Sequence, residues 1–491
     1  MYWHKALLAV VAAMAALRAD KVEQGPKDSP PSGLLAGVAR ADITPPAGIA
    51  HLNWGSQTHL TAAGADPVGM YVTALVLSDG KQKFALVDID TLSIQELEEA
   101  IARASALAGI PAEHIRLGAT HTHSGAMLQA AKGPVNADFA RHDRIFKTYQ
   151  AALSDKVAGV IVEANARLAP AHLYGGRGEG TININRRVRA AGGGPAAVGR
   201  NPDGFLDREL VVVRIDDARG APVAVLANFQ CHGTVLAYEN ELLTPDWIGM
   251  MRRTVETAMP TAKCLYFQGA AGNQGPIEGF TGDLSVAHRL GAILGHQVAA
   301  VALGIETVRR EPKFEGFVES TAYQAKQHWR VQGPRDATLK FVSKRIETPR
   351  RRYTPQEIDE MASRVADAQK KLDGSHRSQA RLRRFTDLLE QWKRPWDPTP
   401  LPVDVQILRI GEVAIVAMPG EPFAEIGAAV KKASPFAITM FCGYSSGAGG
   451  DYMPIESEYR LGGYEVERTP YGPAAAEKVI KETIALYPQL R

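Results

Sequence analysis

The chain has 491 residues, 45% of them hydrophobic and 22% charged, which suits roughly two to four domains or one large domain with insertions. Its 56 basic and 53 acidic residues leave a net charge of only +3, which gives no electrostatic footprint for nucleic acid. Cys231, Cys264 and Cys442 have no Cys-x-x-Cys spacing, so they exclude a disulfide framework and read as buried small hydrophobes.

His4 and Lys5 precede an apolar run from Ala6 to Leu17, too short for a bilayer span of roughly 20 residues but suited to a signal-peptide core. Residues 1–19 are therefore expected to be an export leader, or an N-terminal membrane anchor if uncleaved. The protein is expected to be periplasmic or secreted. A polar linker, 20–34, leads into one domain over 35–491. No later apolar stretch reads as a membrane span.

Lys83 to Ile89 is a continuous apolar strand signal. Ser93-x-x-Glu96 then reads as a capping box opening a helix that Gly109 and Pro111 stop, and His114 to Thr120 returns as a strand. That βαβ unit predicts an α/β fold, a layered mixed β-sheet flanked by helices. Pro222 to Phe229, Lys263 to Phe267, Glu412 to Met418 and Ala437 to Phe441 repeat the strand signal, and Val286 to Leu303 reads as a long helix. Between Ser320 and Pro400 apolar strands disappear from the pattern. Pro355 to Leu372 and Ser378 to Lys393 read as a helical hairpin, so about 320–400 is expected to be a helical insertion. Arg350, Arg351 and Arg352 read as a solvated approach to it.

Polar residues collect just beyond the strand ends. His121 and His123 follow one strand, His232 another, the turn Gly269 to Gly275 a third, Glu421 a fourth, and a polar Ser/Gly/Asp loop follows a fifth that ends at Phe441. In open α/β sheets ligands bind at that edge. In extended backbone His121 and His123 would face the same side. Imidazoles with one carboxylate suit zinc, although His-x-His alone fits a hydrogen-bonded pair equally well. A TIM-barrel amidohydrolase also carries His-x-His at a strand end, but the regular eightfold alternation is missing.

Gly118-Ala-Thr-His-Thr-His-Ser-Gly125 resembles the signature of the neutral, non-lysosomal ceramidases, zinc amidases that cleave an N-acyl bond. Ala39-Arg-Ala-Asp-Ile-Thr-Pro-Pro46, Asn183-Ile-Asn-Arg186, Asn228-Phe-Gln-Cys-His-Gly-Thr234, Pro419-Gly-Glu421, Tyr452, Tyr459 and Tyr464 match in family order. The resemblance implies Zn2+ held by His121, His232, Glu421 and Tyr452, with His123, Arg186 and Tyr464 as catalytic residues on the substrate carbonyl. The family's Gly-Asp-Val-Ser-Pro-Asn is here Gly272-Asn-Gln-Gly-Pro-Ile277, so Gly275 replaces a serine considered a nucleophile. A zinc-bound water is then the expected attacker. The family continues Ser-Gly-Pro-Gly-Gly where this chain has Ser124 to Leu128.

No C-terminal immunoglobulin-like domain is expected, since the chain ends soon after the tyrosines. The expected partner is a small-molecule or lipid-like acyl substrate, with oligomeric state open. An ester, lactone or glycan-linked substrate remains an alternative. So does a degenerate ligand-binding protein, a reading that Gly275 sustains.

Overall fold

The computed structural model describes residues 32–51, 54–59, 61–125, 139–189 and 194–491. The expected leader, most of the linker, Ala126 to Leu128 and part of the Gly/Ala loop after Arg189 lie outside the described residues.

Eight strands form the larger sheet: β1 (Leu35–Asp42), β2 (Tyr71–Ser78), β3 (Lys83–Ile89), β4 (Ile115–Ala119), β5 (Ala169–Glu179), β6 (Glu209–Asp217), β7 (Pro222–Phe229) and β8 (Lys263–Gln268). Their order across the sheet is β8-β7-β6-β5-β1-β2-β3-β4. Neighbours are antiparallel except at the two ends, where β3–β4 and β7–β8 are parallel. Each parallel pair needs a crossover. Helix α1 (Glu98–Ala108) supplies the first, and α3 (Trp247–Ala258) the second, while α2 (Phe139–Ala166) and α4 (Leu284–Gly304) pack beside them.

A second sheet of four strands comprises β9 (Leu339–Thr348), β10 (Leu401–Ile410), β11 (Val413–Ala417) and β12 (Ile438–Cys442), in that order. Its β11–β12 pair is also parallel, crossed by α7 (Ala424–Lys432). Strand alternation gives each sheet two apolar faces. Leu75, Phe84, Val213 and Leu226 of the large sheet meet Leu408, Ile415 and Met440 of the small one in a single buried cluster. The opposite face of the large sheet is covered by α1 and α2 at one end and by α3 and α4 at the other. The outer face of the small sheet is covered by α7 and the Ala475–Ile484 helix. The chain is thus a four-layer α/β/β/α stack with no closed barrel, which removes the TIM-barrel alternative.

Four sequence expectations are corrected. The capping box at Ser93 and Glu96 does not form: α1 begins at Glu98 with Leu97 at its N-cap and no side-chain cap. The preceding segment turns instead so that the Leu92 carbonyl meets the His121 ring. The stretch about 320–400 is not purely helical. The hairpin α5 (Pro355–Lys370) and α6 (His376–Lys393) forms as expected, but it follows β9 and a β-ribbon, Val308–Val318 with Gln324–Pro334. The ribbon's strands are exposed almost throughout, so no run of buried apolar residues announces them. Arg351 is buried rather than solvated, paired with Glu357 at 2.8 Å and lying over the Tyr353 ring.

Helix α4 is long and apolar enough to cross a membrane by length and composition, contrary to expectation. It is a core helix here, with Leu290, Leu294 and Val298 buried against the layer formed with α3. All three cysteines are free and buried, as expected.

Candidate metal centre

The site forms where three parallel pairs end together. His121 follows β4, His232 follows β7, the Gly269–Gly275 turn follows β8, and Glu421 and Tyr444 follow β11 and β12. This is the sheet edge that the sequence pattern indicated.

His121 does not sit in extended backbone. Its φ of 62° is left-handed, and strand β4 has already ended at Ala119. The two imidazoles of His121 and His123 therefore converge by a turn and not by strand alternation, with ring centroids 4.7 Å apart and planes at 87°. That backbone costs a non-glycine residue roughly 1–2 kcal/mol, and such strain clusters at functional sites. The His121 amide donates to Thr91 O and its Nδ1 lies 2.7 Å from Leu92 O, which together hold the turn.

His232 is held in the same way, with Nδ1 2.7 Å from Ala271 O and 3.2 Å from Gln274 O. Carbonyls accept only, so both histidines carry their proton on Nδ1 and turn an Nε2 lone pair toward the centre. There His232 Nε2 lies 3.1 Å and His121 Nε2 3.5 Å from Glu421 Oε2. His123 Nε2 lies 3.1 Å from His121 Nε2. One ligand-type atom from each of the three histidines falls within 4.8 Å of the others, the one such group of three among the described residues.

Glu421 reaches the centre because its backbone approaches the β8 loop closely. Gly272 donates to Pro422 O at 2.8 Å, and a Cβ on Gly272 would stand 2.4 Å from Glu421 O. Gly420 takes φ 78° immediately before it.

Electrostatics separate the roles. Burial alone would raise the Glu421 carboxyl, but the imidazoles of His121 and His232 beside it hold it well below the carboxylate range. Burial, together with the neighbouring imidazoles of His121 and His232, pushes His123 well below its ordinary value. Burial, followed by the Arg186 charge, lowers His232 to about 4. His123 and His232 are thus neutral at pH 7, the form that donates a lone pair to a metal.

Arg186 stands on the Asn183–Val188 strand, which pairs with the Gln274–Pro276 strand through Ile184 opposite Gly275. Its Nε donates to Glu465 Oε1 at 2.8 Å and a terminal nitrogen donates to the Tyr452 hydroxyl at 3.0 Å. Tyr452 is buried, stacked 6.5 Å from the His232 ring, and its phenol is raised well above 10 by burial against the lowering effect of Arg186. Tyr464 lies one ring further out, edge-on to Tyr452 at 5.7 Å and under Arg384 of α6. The helical hairpin thereby reaches the site, and Arg377 of α6 also caps Tyr238, whose ring meets Trp54 beside His123.

Sequence reasoning missed several residues. Tyr444 tilts its ring 4.4 Å from His121 and places its hydroxyl 3.5 Å from Glu421 Oε2. Glu465 fixes both Arg186 and Arg187, the latter at 2.6 Å. Only its place beside Tyr464 could have drawn attention to it. A cavity of about 520 Å³ opens against His121, Glu421 and Tyr444 and continues to Gln95 and Gly450. That volume lies in the range of small-molecule sites. His121, Tyr444 and Asp451, three of its lining residues, all have positive φ.

A buried centre of three imidazoles and one carboxylate at converging strand ends has the make-up of a candidate metal site in an α/β protein. The sequence pattern described as "Neutral/alkaline non-lysosomal ceramidase, N-terminal" matches residues 34–284, and the chain belongs to that family of hydrolases. It is 24% identical to the neutral ceramidase of Pseudomonas aeruginosa over 504 residues, spanning 92% of this chain and 74% of that protein. Neutral ceramidase A of Dictyostelium discoideum is 29% identical over 137 residues, 27% of this chain and 18% of that protein. The crystal structure of the Pseudomonas aeruginosa enzyme superposes with a TM-score of 0.62 at 20% identity, over 94% of this chain and 75% of that one. A ceramidase complexed with C2 superposes at 0.61.

Proposed function

We propose that the chain is a zinc-dependent hydrolase that cleaves the N-acyl bond of a lipid-like amide, with water as the nucleophile. The observation that carries this reading is the convergence of Nε2 lone pairs from His121 and His232 on the Glu421 carboxylate, with both Nδ1 atoms tied to backbone carbonyls. Two imidazoles, a carboxylate and the Tyr452 phenol form a donor set that fits zinc. When bound, zinc polarises a carbonyl and lowers the pKa of water to near 7.

The remaining residues act on the substrate. His123 is neutral, and its Nε2 lies at the same centre, so it takes or returns a proton at the scissile bond. Arg186 is a fixed cation: burial opposes its charge, but Tyr452 and Glu465 raise its pKa above the ordinary value. It holds the developing oxyanion, with Tyr464 lining the approach. Position 275 carries no side chain, which leaves water rather than a serine as the attacker.

The test is zinc content by elemental analysis alongside turnover of N-acyl amides and simple esters. Stoichiometric zinc in the parent, and its loss in His121→Ala and His232→Ala, are expected. Full zinc in both variants would sink the ligand assignment. A zinc-replete protein that turns over esters but no amide would transfer the reading to another acyl substrate. A protein that turns over neither would be a ligand-binding family member.

A further inference from the structure

The ribbon formed by the Val308–Val318 and Gln324–Pro334 strands takes no part in the site, and its chemistry is unusual for a soluble surface. Val308 is buried at its root, where Arg335 lies over the Tyr174 ring, but the rest of the Val308–Val318 strand is exposed or half-exposed. Yet Phe314 is 54%, Phe317 62%, Tyr323 70% and Trp329 59% exposed.

The register sorts these side chains. Pro312 pairs with Trp329, Phe314 with Gln327, and Phe317 with Ala325. Glu315 and Gly316 on the first strand thus oppose Lys326 alone on the second, a bulge at which Gly316 has φ 103°. Without that extra residue Phe314 and Phe317 would point to opposite faces; with it they share one. Their rings meet at 5.2 Å, and Phe317 stacks on Tyr323 at 4.9 Å. The other face carries Lys313 paired with His328 and Glu311 paired with Arg330, with Glu315 bridging Lys326 at 3.3 Å and His328 at 3.1 Å. The ribbon is amphipathic, with its apolar face uncovered. A lone two-stranded ribbon is marginal in water, so such a face calls for an occupant.

We propose that this ribbon is a membrane-docking element, whose aromatic face enters the interfacial region of an anionic lipid bilayer. Two observations favour lipid over a second copy of the chain. The four rings expose roughly 500 Å² in total at their observed fractions, short of the ~800 Å² each partner contributes to a stable interface. The ribbon also carries Arg309, Arg310, Lys313, Lys326 and Arg330 against Glu311, Glu315 and Glu319, a net excess of cations that anionic headgroups would attract. Tryptophan, tyrosine and phenylalanine flanked by arginine and lysine are the side chains that settle at a bilayer surface. The inference does not depend on the hydrolytic reading, since the test below needs no turnover.

The experiment is co-sedimentation of the full chain with phosphatidylcholine vesicles, with and without phosphatidylglycerol, comparing the parent with Phe314→Ser/Phe317→Ser and with Trp329→Ser. The parent is expected to partition onto the anionic vesicles. The double variant should bind at least about tenfold more weakly while keeping the parent's thermal midpoint. High salt should weaken binding, because the cations contribute. Parent protein that stays in the supernatant, or variants that bind as well as the parent, would overturn the proposal. So would a parent dimer that the double variant converts to monomer in sedimentation velocity, which would make a second copy the occupant.

Discussion

Arg186 donates to the hydroxyl of Tyr452 at 3.0 Å while its Nε is clamped by Glu465 at 2.8 Å, so one planar guanidinium fixes a phenol at the centre and is itself immobilised. Lysine can offer a charge there but not two divergent donors in one plane. Arg186→Lys is therefore expected to lower kcat/KM by about 10²–10³-fold, the scale of losing one oxyanion donor. Fold and zinc content should persist, since Arg187 still pairs with Glu465 at 2.6 Å. Kinetics with metal analysis would check this. A change below about threefold would remove Arg186 from the chemistry.

Gly420 sets the path of Glu421. With φ at 78° and Asp451 O 2.7 Å from where a Cβ would lie, Gly420→Ala meets both backbone strain and a clash with main chain. The expected cost is about 1–3 kcal/mol, with zinc affinity reduced because the β11–β12 connection must shift. Thermal midpoints and zinc titration of the variant measure the two effects separately. An unchanged midpoint would show that the loop relaxes freely.

The sheet edge, the loops that carry His121, His232 and Glu421, and most strand positions were legible in the sequence. Lys83–Ile89 and Pro222–Phe229 have the bounds their apolar runs predict. The stacking of two sheets was not legible. Val413–Ala417 and Ile438–Cys442 carry the same apolar signal as strands of the first sheet, and nothing local says which sheet a strand joins. At the site, His121 was found through a motif, but its left-handed backbone was not, because a contact with Leu92 overrides the strand pattern. Glu465 and Tyr444 act through contacts hundreds of residues apart in sequence, such as Glu465 with Arg186, and single acids or tyrosines carry no periodicity to announce them.

Behind the site, Arg252 of α3 ties the two parallel pairs of the large sheet together. It donates to Asp90 at 2.7 Å and to Asp88 at 3.0 Å, and Asp88 also accepts from the Tyr266 amide on β8 at 2.5 Å. All three side chains are buried. Removing the cation leaves two carboxylates facing each other without compensation. Arg252→Met is expected to destabilise the fold by about 3–5 kcal/mol, measured by denaturant unfolding. Arg252→Met/Asp88→Asn/Asp90→Asn should recover much of that loss. If the triple variant is no more stable than the single one, packing rather than uncompensated charge sets the cost.

His51 makes the fold's stability depend on pH. It is 1% exposed, and burial, reinforced by the neighbouring His59, depresses its pKa from 6.5 to about 4. Its Nδ1 shares a hydrogen bond of 2.8 Å with His59 Nε2, and burial keeps the ring neutral in the native state. Above pH 6.5 both folded and unfolded chains carry it uncharged, and its contribution is fully present. As pH falls from 6.5 toward 4, the unfolded chain binds a proton that the fold refuses, and stability is lost at about 1.4 kcal/mol per pH unit. By pH 5 this one group should account for about 2 kcal/mol of the decline. His51→Gln cannot titrate, so its unfolding free energy should fall by about 2 kcal/mol less than the parent's between pH 7.5 and 5. Parallel stability profiles for parent and variant would mean that His51 is protonated in the native state, and that burial does not hold it neutral.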